Sequence, residues 1–131
     1  MLTNTFCHIP HIGVHTEARL WQAGVLSWED ALHDAHRAML HAHSPDVTAV
    51  IHESFAQLDA ANPQYFARLL PHHEHWRLFP EFRRRTAFLD IETTGVSGHG
   101  DYLTTIALYD GACIRYYING HNLQDFIRDI Q

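Results

Sequence analysis

The chain has 131 residues and is 46% hydrophobic, enough to bury one modest core and too apolar for a disordered tail. Its formal charge of −6, with nine Arg and no Lys against 15 acidic residues, excludes a protein that coats nucleic acid through bulk positive charge. No apolar run has membrane-spanning length, the N-terminus lacks the basic-then-apolar order of a secretion signal, and Cys7 and Cys113 form no metal or disulfide pattern. A cytoplasmic protein with reduced thiols and no membrane partner is therefore expected.

Ile9-Pro10-His11-Ile12-Gly13 reads as a turn, followed by a helix over residues 14–23 that Gly24 ends as a left-handed cap. The pentapeptide resembles the hairpin of a helix-hairpin-helix module, in which backbone N–H groups at the start of the following helix receive a phosphate. That resemblance makes Gly13 a candidate nucleic-acid contact. His11 stands where the motif has glycine, and a purely structural hairpin is the alternative.

Ser27 and Asp30 have the spacing of a capping box, and Trp28, Ala31, Leu32 and Ala35 give a second helix its apolar spacing. Ser44-Pro45 breaks the pattern, and Asp46 can cap a helix carrying Val47, Val50, Ile51, Ser54, Phe55 and Leu58. Asn62-Pro63 opens a short helix with Tyr65, Phe66, Leu69 and Leu70 on its apolar side, and Pro71 closes it. Arg83-Arg84-Arg85 is a candidate phosphate contact because each guanidinium offers a planar fork. A solvated charge run is the other reading.

From Thr86 the periodicity becomes that of strands. Residues 87–92 and 102–109 read as two strands flanking a Gly-rich loop, residues 93–100. Asp110-Gly111 reads as a two-residue hairpin turn into a third strand over residues 112–118. Asn122 can cap a last helix in which Leu123, Phe126, Ile127 and Ile130 recur at helical spacing. The expected organisation is a helical region, residues 1–85, and a strand-rich region, residues 86–131, of class α+β or α/β.

Asp90 and Glu92 are two apart in an apolar strand, so both carboxylates leave one face with Cα atoms roughly 7 Å apart. Carboxylates buried there would need a cation or hydrogen-bond donors. Phe88-Leu89-Asp90-Ile91-Glu92-Thr93-Thr94-Gly95 resembles the first motif of the DEDD exonucleases, a ribonuclease-H-like superfamily that includes polymerase proofreading subunits. Residues 6–32 also resemble the segment preceding the nuclease domain in a bacterial family of ribonuclease-H-like exonucleases.

The resemblance implies that residues 86–131 supply the first three antiparallel strands and first helix of a ribonuclease-H-like fold, left incomplete. It implies that Asp90 and Glu92 hold Mg²⁺ or Mn²⁺ in a two-metal hydrolysis of DNA or RNA, in the 3′–5′ direction, with Thr93 and Thr94 against the terminal nucleotide. The further Asp-bearing motifs of that superfamily do not occur before Gln131, so the chain by itself is expected to be inactive or nearly so. Asp101, Asp110, Asp125 and Asp129 read as surface and turn residues.

The thirteen His show no recognisable zinc spacing. A non-catalytic module that binds nucleic acid or protein is the rival reading. In either case the missing neighbour of the carboxylate strand leaves an edge open to homodimerisation, through strand pairing or exchange, or else to cover by the helical region.

Overall fold

The helical periodicity of the first half and the alternation of the second become separate units in the computed structural model, which describes residues 1–95 and 100–130. One unit is Met1–Arg83 and the other Arg84–Gln131. The protein is thus mixed α+β, with helices preceding a small antiparallel sheet. Among the described residues no helix is long and apolar enough to cross a membrane.

In the helical unit, α1 (Val14–Gln22) is ended by Gly24 at φ +87°, a left-handed position open to glycine at little cost. The Ser27–Asp30 capping box then starts α2 (Trp28–Leu32): the serine hydroxyl accepts from Asp30 N–H, and the Asp30 carboxylate accepts from Ser27 N–H at 2.9 Å. The helix expected to continue past Leu32 instead breaks at His33, which is extended, and restarts as α3 (Asp34–His41).

Burial explains the break. Leu40 follows Trp28 by twelve residues, which a straight helix would place about 120° away around its axis. Both side chains are fully buried while Ala35, which the single-helix reading turned inward, is exposed. The helix α4 (Val47–Asp59) starts after Asp46, but the Asp46 side chain makes no capping hydrogen bond. Pro63 at the first turn, where no N–H partner is needed, begins α5 (Pro63–Leu69). A 3₁₀ segment, His72–Leu78, leads into the single turn α6 (Phe79–Phe82).

These elements close on one core that includes Leu2, Phe6, Ile9, Ile12, Leu20, Val25, Trp28, Leu40, Ile51 and Phe66. Trp28 anchors it: Phe55 meets the indole edge-on at 5.2 Å, Phe66 stacks at 6.0 Å, and its N–H donates to the Thr5 carbonyl at 2.7 Å.

In the second unit, β1 (Phe88–Thr93), β2 (Leu103–Tyr109) and β3 (Ile114–Ile118) form an antiparallel meander of order β1-β2-β3. Residues facing each other across a ladder share a side of the sheet. Leu89 and Ile91 therefore lie with Leu108, Ile106, Arg115 and Tyr117, while Phe88, Asp90 and Glu92 lie with Tyr109, Ala107, Thr105, Ile114, Tyr116 and Ile118. The first side holds the small core of Ile106, Leu108 and Tyr117, covered by Leu123 and Phe126.

Two turns differ from their sequence reading. The β2–β3 connection spans four residues, because Tyr109 pairs with Ile114. The Asp110 carboxylate accepts from the N–H groups of Cys113 and Ala112, both at 2.9 Å, and these bonds hold its pKa down to about 2. Asn122 does not cap the last helix: its side chain turns back onto β3, and α7 (Asp125–Asp129) begins three residues later. Leu123 and Phe126 pack inward, whereas Ile127 and Ile130, expected on the same apolar face, are exposed.

Candidate functional site

Asp90 and Glu92 emerge on one side of β1, opposite Ala107 and Thr105. Every residue of β1 is exposed, so the expectation that these carboxylates are buried and demand a compensating cation is corrected. The physical reason is position: among the described residues β1 is an edge strand, and the apolar cover of the sheet, Leu123 and Phe126, packs on the side away from Asp90. Water solvates both carboxylates, which present two hard oxygen donors of the type that suits Mg²⁺ or Mn²⁺. Among the described residues no group of three or more His, Cys, Asp or Glu could hold a metal ion.

The end of β1 is built as a tight staple. The pairing register shifts between Glu92 and Thr93, which faces Leu103. Thr94 N–H donates to the Tyr102 carbonyl at 3.1 Å, and Tyr102 N–H donates to the Thr94 hydroxyl at 3.2 Å. The Thr93 hydroxyl donates to the Gly95 carbonyl at 2.7 Å. Gly95 lies against the Asp101 carboxylate so closely that a Cβ there would sit 2.7 Å from Asp101 Oδ1. The two threonine hydroxyls thus brace the turn. The Gly-rich loop continues through residues 96–99, which lie outside the described residues.

In the helical unit the hairpin is anchored by buried Ile9 and Ile12, with Ile12 N–H donating to the Ile9 carbonyl at 3.1 Å. His11 occupies a left-handed conformation, φ +67°, at the position where the resembled motif has glycine. Gly13 is the extended N-cap of α1, no side chain caps that helix, and the space around the Gly13 Cα is open. Residues 7–13 line a cavity of about 450 Å³ together with Arg68 and Leu69 of α5. Sequence reasoning missed Arg68, since nothing local links a helix residue to a turn 55 positions earlier.

In the wall of this cavity His8 is 2% exposed, wedged between Trp28 and Phe66. Ser54 donates its hydroxyl to the Val50 carbonyl at 2.7 Å, so at 2.9 Å it accepts from His8 Nε2–H. Burial pushes the His8 pKa down to about 4, and the neutral ring is left with an unpartnered Nδ1. Burial, reinforced by Glu17, pushes the neighbouring Cys7 thiol up to about 12, which leaves it unreactive.

A polar network unforeseen in the sequence holds the N-terminal segment to α1. Glu17, 1% exposed, accepts from the Thr5 hydroxyl and Phe6 N–H, both at 2.6 Å, and from Arg77 at 2.7 Å. Arg77 also donates to Glu74 and, at 2.6 Å, to the Thr5 hydroxyl. Burial opposes its charge, but the hydrogen bonds and charges of Glu17 and then Glu74 win and raise its pKa. The only sequence signal was a glutamate on the Leu20 side of α1, three residues before it.

Arg83, Arg84 and Arg85 form a short exposed 3₁₀ turn. The carboxylates, with Thr93 and Thr94, belong to the sheet unit and Gly13 to the helical unit. No family model, curated protein or solved structure matches the chain.

Proposed function

We propose that the sheet unit is the opening segment of a ribonuclease-H-like DEDD exonuclease domain, and that the chain contributes to metal-dependent 3′–5′ hydrolysis of DNA or RNA. The observation that carries this reading is the pair Asp90 and Glu92 on one open side of β1, next to the stapled Thr93-Thr94-Gly95 turn. Two carboxylates on one strand face fit half of a two-metal ligand set. Asp90 and Glu92 would hold Mg²⁺ or Mn²⁺, which when bound lowers the pKa of water and neutralises charge on phosphate. Thr93 and Thr94 position the backbone against which a terminal nucleotide would lie. The remaining ligands must come from outside the described residues, so the chain by itself should bind metal weakly and turn over little or no substrate.

Titration with Mn²⁺, followed by the electron paramagnetic resonance of the free ion, tests the ligand assignment without relying on turnover. Asp90→Asn and Glu92→Gln should each weaken binding while leaving circular dichroism unchanged, because both side chains are exposed. Unaltered Mn²⁺ affinity in both variants would sink the assignment. The hairpin supports a second reading, a nucleic-acid-binding module, since the open α1 N-terminus, Gly13 and Arg68 share one cavity. Oligonucleotide binding that persists in the double carboxylate variant but falls with Arg68→Ala would favour that reading.

A further inference from the structure

The two edges of the sheet are protected differently. On β3, Asn122 Oδ1 accepts from Ile118 N–H at 2.8 Å and its Nδ2 donates to the Tyr116 carbonyl at 2.9 Å. That amide occupies two backbone groups of β3 that another strand could use. On β1, the flank of Leu89, Asp90, Ile91 and Glu92 away from β2 pairs with no strand among the described residues, and Leu89 and Ile91 are 46% and 47% exposed.

We propose that β1 pairs antiparallel with β1 of a second copy of this chain, Leu89 against the partner's Leu89, to make one six-stranded sheet. The charge order along the segment is what selects a second copy. Arg84 precedes the strand and Asp90 and Glu92 end it, so the segment is complementary to itself when reversed. Antiparallel pairing brings the arginine of each copy toward the carboxylates of the other, whereas parallel pairing would align like with like.

The carboxylates also select the register. Facing residues in a symmetric antiparallel pair lie on the same side of the sheet, so the pairing must be centred on one residue. Centring on Asp90 sets two carboxylates face to face, with Cβ atoms about 5 Å apart, and centring on Ile91 sets Asp90 against Glu92 twice. Centring on Phe88 calls for Arg84 in the ladder, but Arg84 is wound into a 3₁₀ turn. Centring on Leu89 places Asp90 opposite the partner's Phe88, Ile91 opposite the partner's Ala87 and Glu92 opposite the partner's Thr86. No like charges then oppose each other.

Sedimentation velocity over a wide concentration range should show a monomer–dimer equilibrium that weakens with added salt. Leu89→Lys puts two ammonium groups face to face at the seam and should raise the dissociation constant on the order of 100-fold. Circular dichroism would confirm that this variant stays folded. In a Cys113→Ser background, Leu89→Cys should oxidise to a covalent dimer and Ile91→Cys should not. A monomer at every concentration, a dimer that tolerates Leu89→Lys, or equal cross-linking of the two cysteine variants would overturn the proposal.

Discussion

Replacing Arg77 by Met removes the guanidinium that satisfies two inward-facing carboxylates while keeping most of the side-chain volume. Arg77 is 8% exposed, Glu17 1% and Glu74 7%, so neither carboxylate left behind can replace the lost partner with bulk water without opening the core. Breaking a buried ion pair from one side costs about 3–5 kcal/mol, because the desolvated charge left behind is uncompensated. The Thr5 hydroxyl loses a donor as well, loosening the segment whose Phe6 N–H bonds the same carboxylate.

For a unit of this size about 1 kcal/mol corresponds to roughly 4–8 °C in melting temperature, so a fall of roughly 12–40 °C is expected. Urea unfolding followed by tryptophan fluorescence isolates the effect, since Trp21, Trp28 and Trp76 all lie in the helical unit. Trp21 and Trp76 also flank the Arg77 guanidinium, at 5.7 and 5.4 Å. Adding Glu17→Gln to Arg77→Met should recover about 1 kcal/mol or more relative to the sum of the single changes. A loss under about 1 kcal/mol for Arg77→Met, or strict additivity in the double variant, would refute the network as a stabilising unit.

Other perturbations read single elements. His8 is held neutral, with its pKa lowered from the ordinary 6.5 to about 4, so the unfolded chain takes up the proton more readily. Its contribution is therefore complete above about pH 6.5 and lost as pH falls toward 4, up to about 3 kcal/mol, and His8→Gln should flatten that part of the urea midpoint's pH profile. His11→Gly should stabilise by up to about 1 kcal/mol, relief of the left-handed strain being partly offset by a more flexible unfolded chain; a lower melting temperature would show that His11 makes a compensating contact. Ile12→Asp, at 3% exposure, should prevent folding of the helical unit, with far-ultraviolet circular dichroism as the check. Ser27→Ala should cost about 1 kcal/mol through the lost α2 cap, and no change in urea midpoint would count against the cap.

What the sequence reveals and what it hides divide along the range of the forces involved. The end of α1 and the starts of α2 and α5 depend on groups within a few residues, so Gly24, the Ser27–Asp30 box and Pro63 mark them directly. The meander is legible for the same reason, since alternation and turn residues act locally. The break at His33 is not, because it is set by the distant requirement that Trp28 and Leu40 share one core. Asn122 shows the same limit: its spacing suits a helix cap, yet two unpaired backbone groups on β3 offer its amide both a donor and an acceptor, and that competition is decided in three dimensions.

The candidate site follows this rule. The Asp90 and Glu92 pair is a local feature of one strand, and the ladder places both on one side as their spacing requires. Whether that side is buried depends on what covers the sheet. A run of Phe88, Leu89 and Ile91 reads equally well as a central strand or as an edge, and only its neighbours distinguish them. In this chain Leu123 and Phe126 cover Ile106, Leu108 and Tyr117 while all of β1 stays exposed, so the carboxylates incur little desolvation penalty and need no compensating cation to be tolerated. An exposed pair of this kind gains a preorganised metal site only when further oxygen ligands and a cover are brought to it. The affinity of the carboxylates for Mn²⁺ thus becomes a direct measure of what a partner strand or domain adds, and it should rise in any assembly that closes the open side of β1.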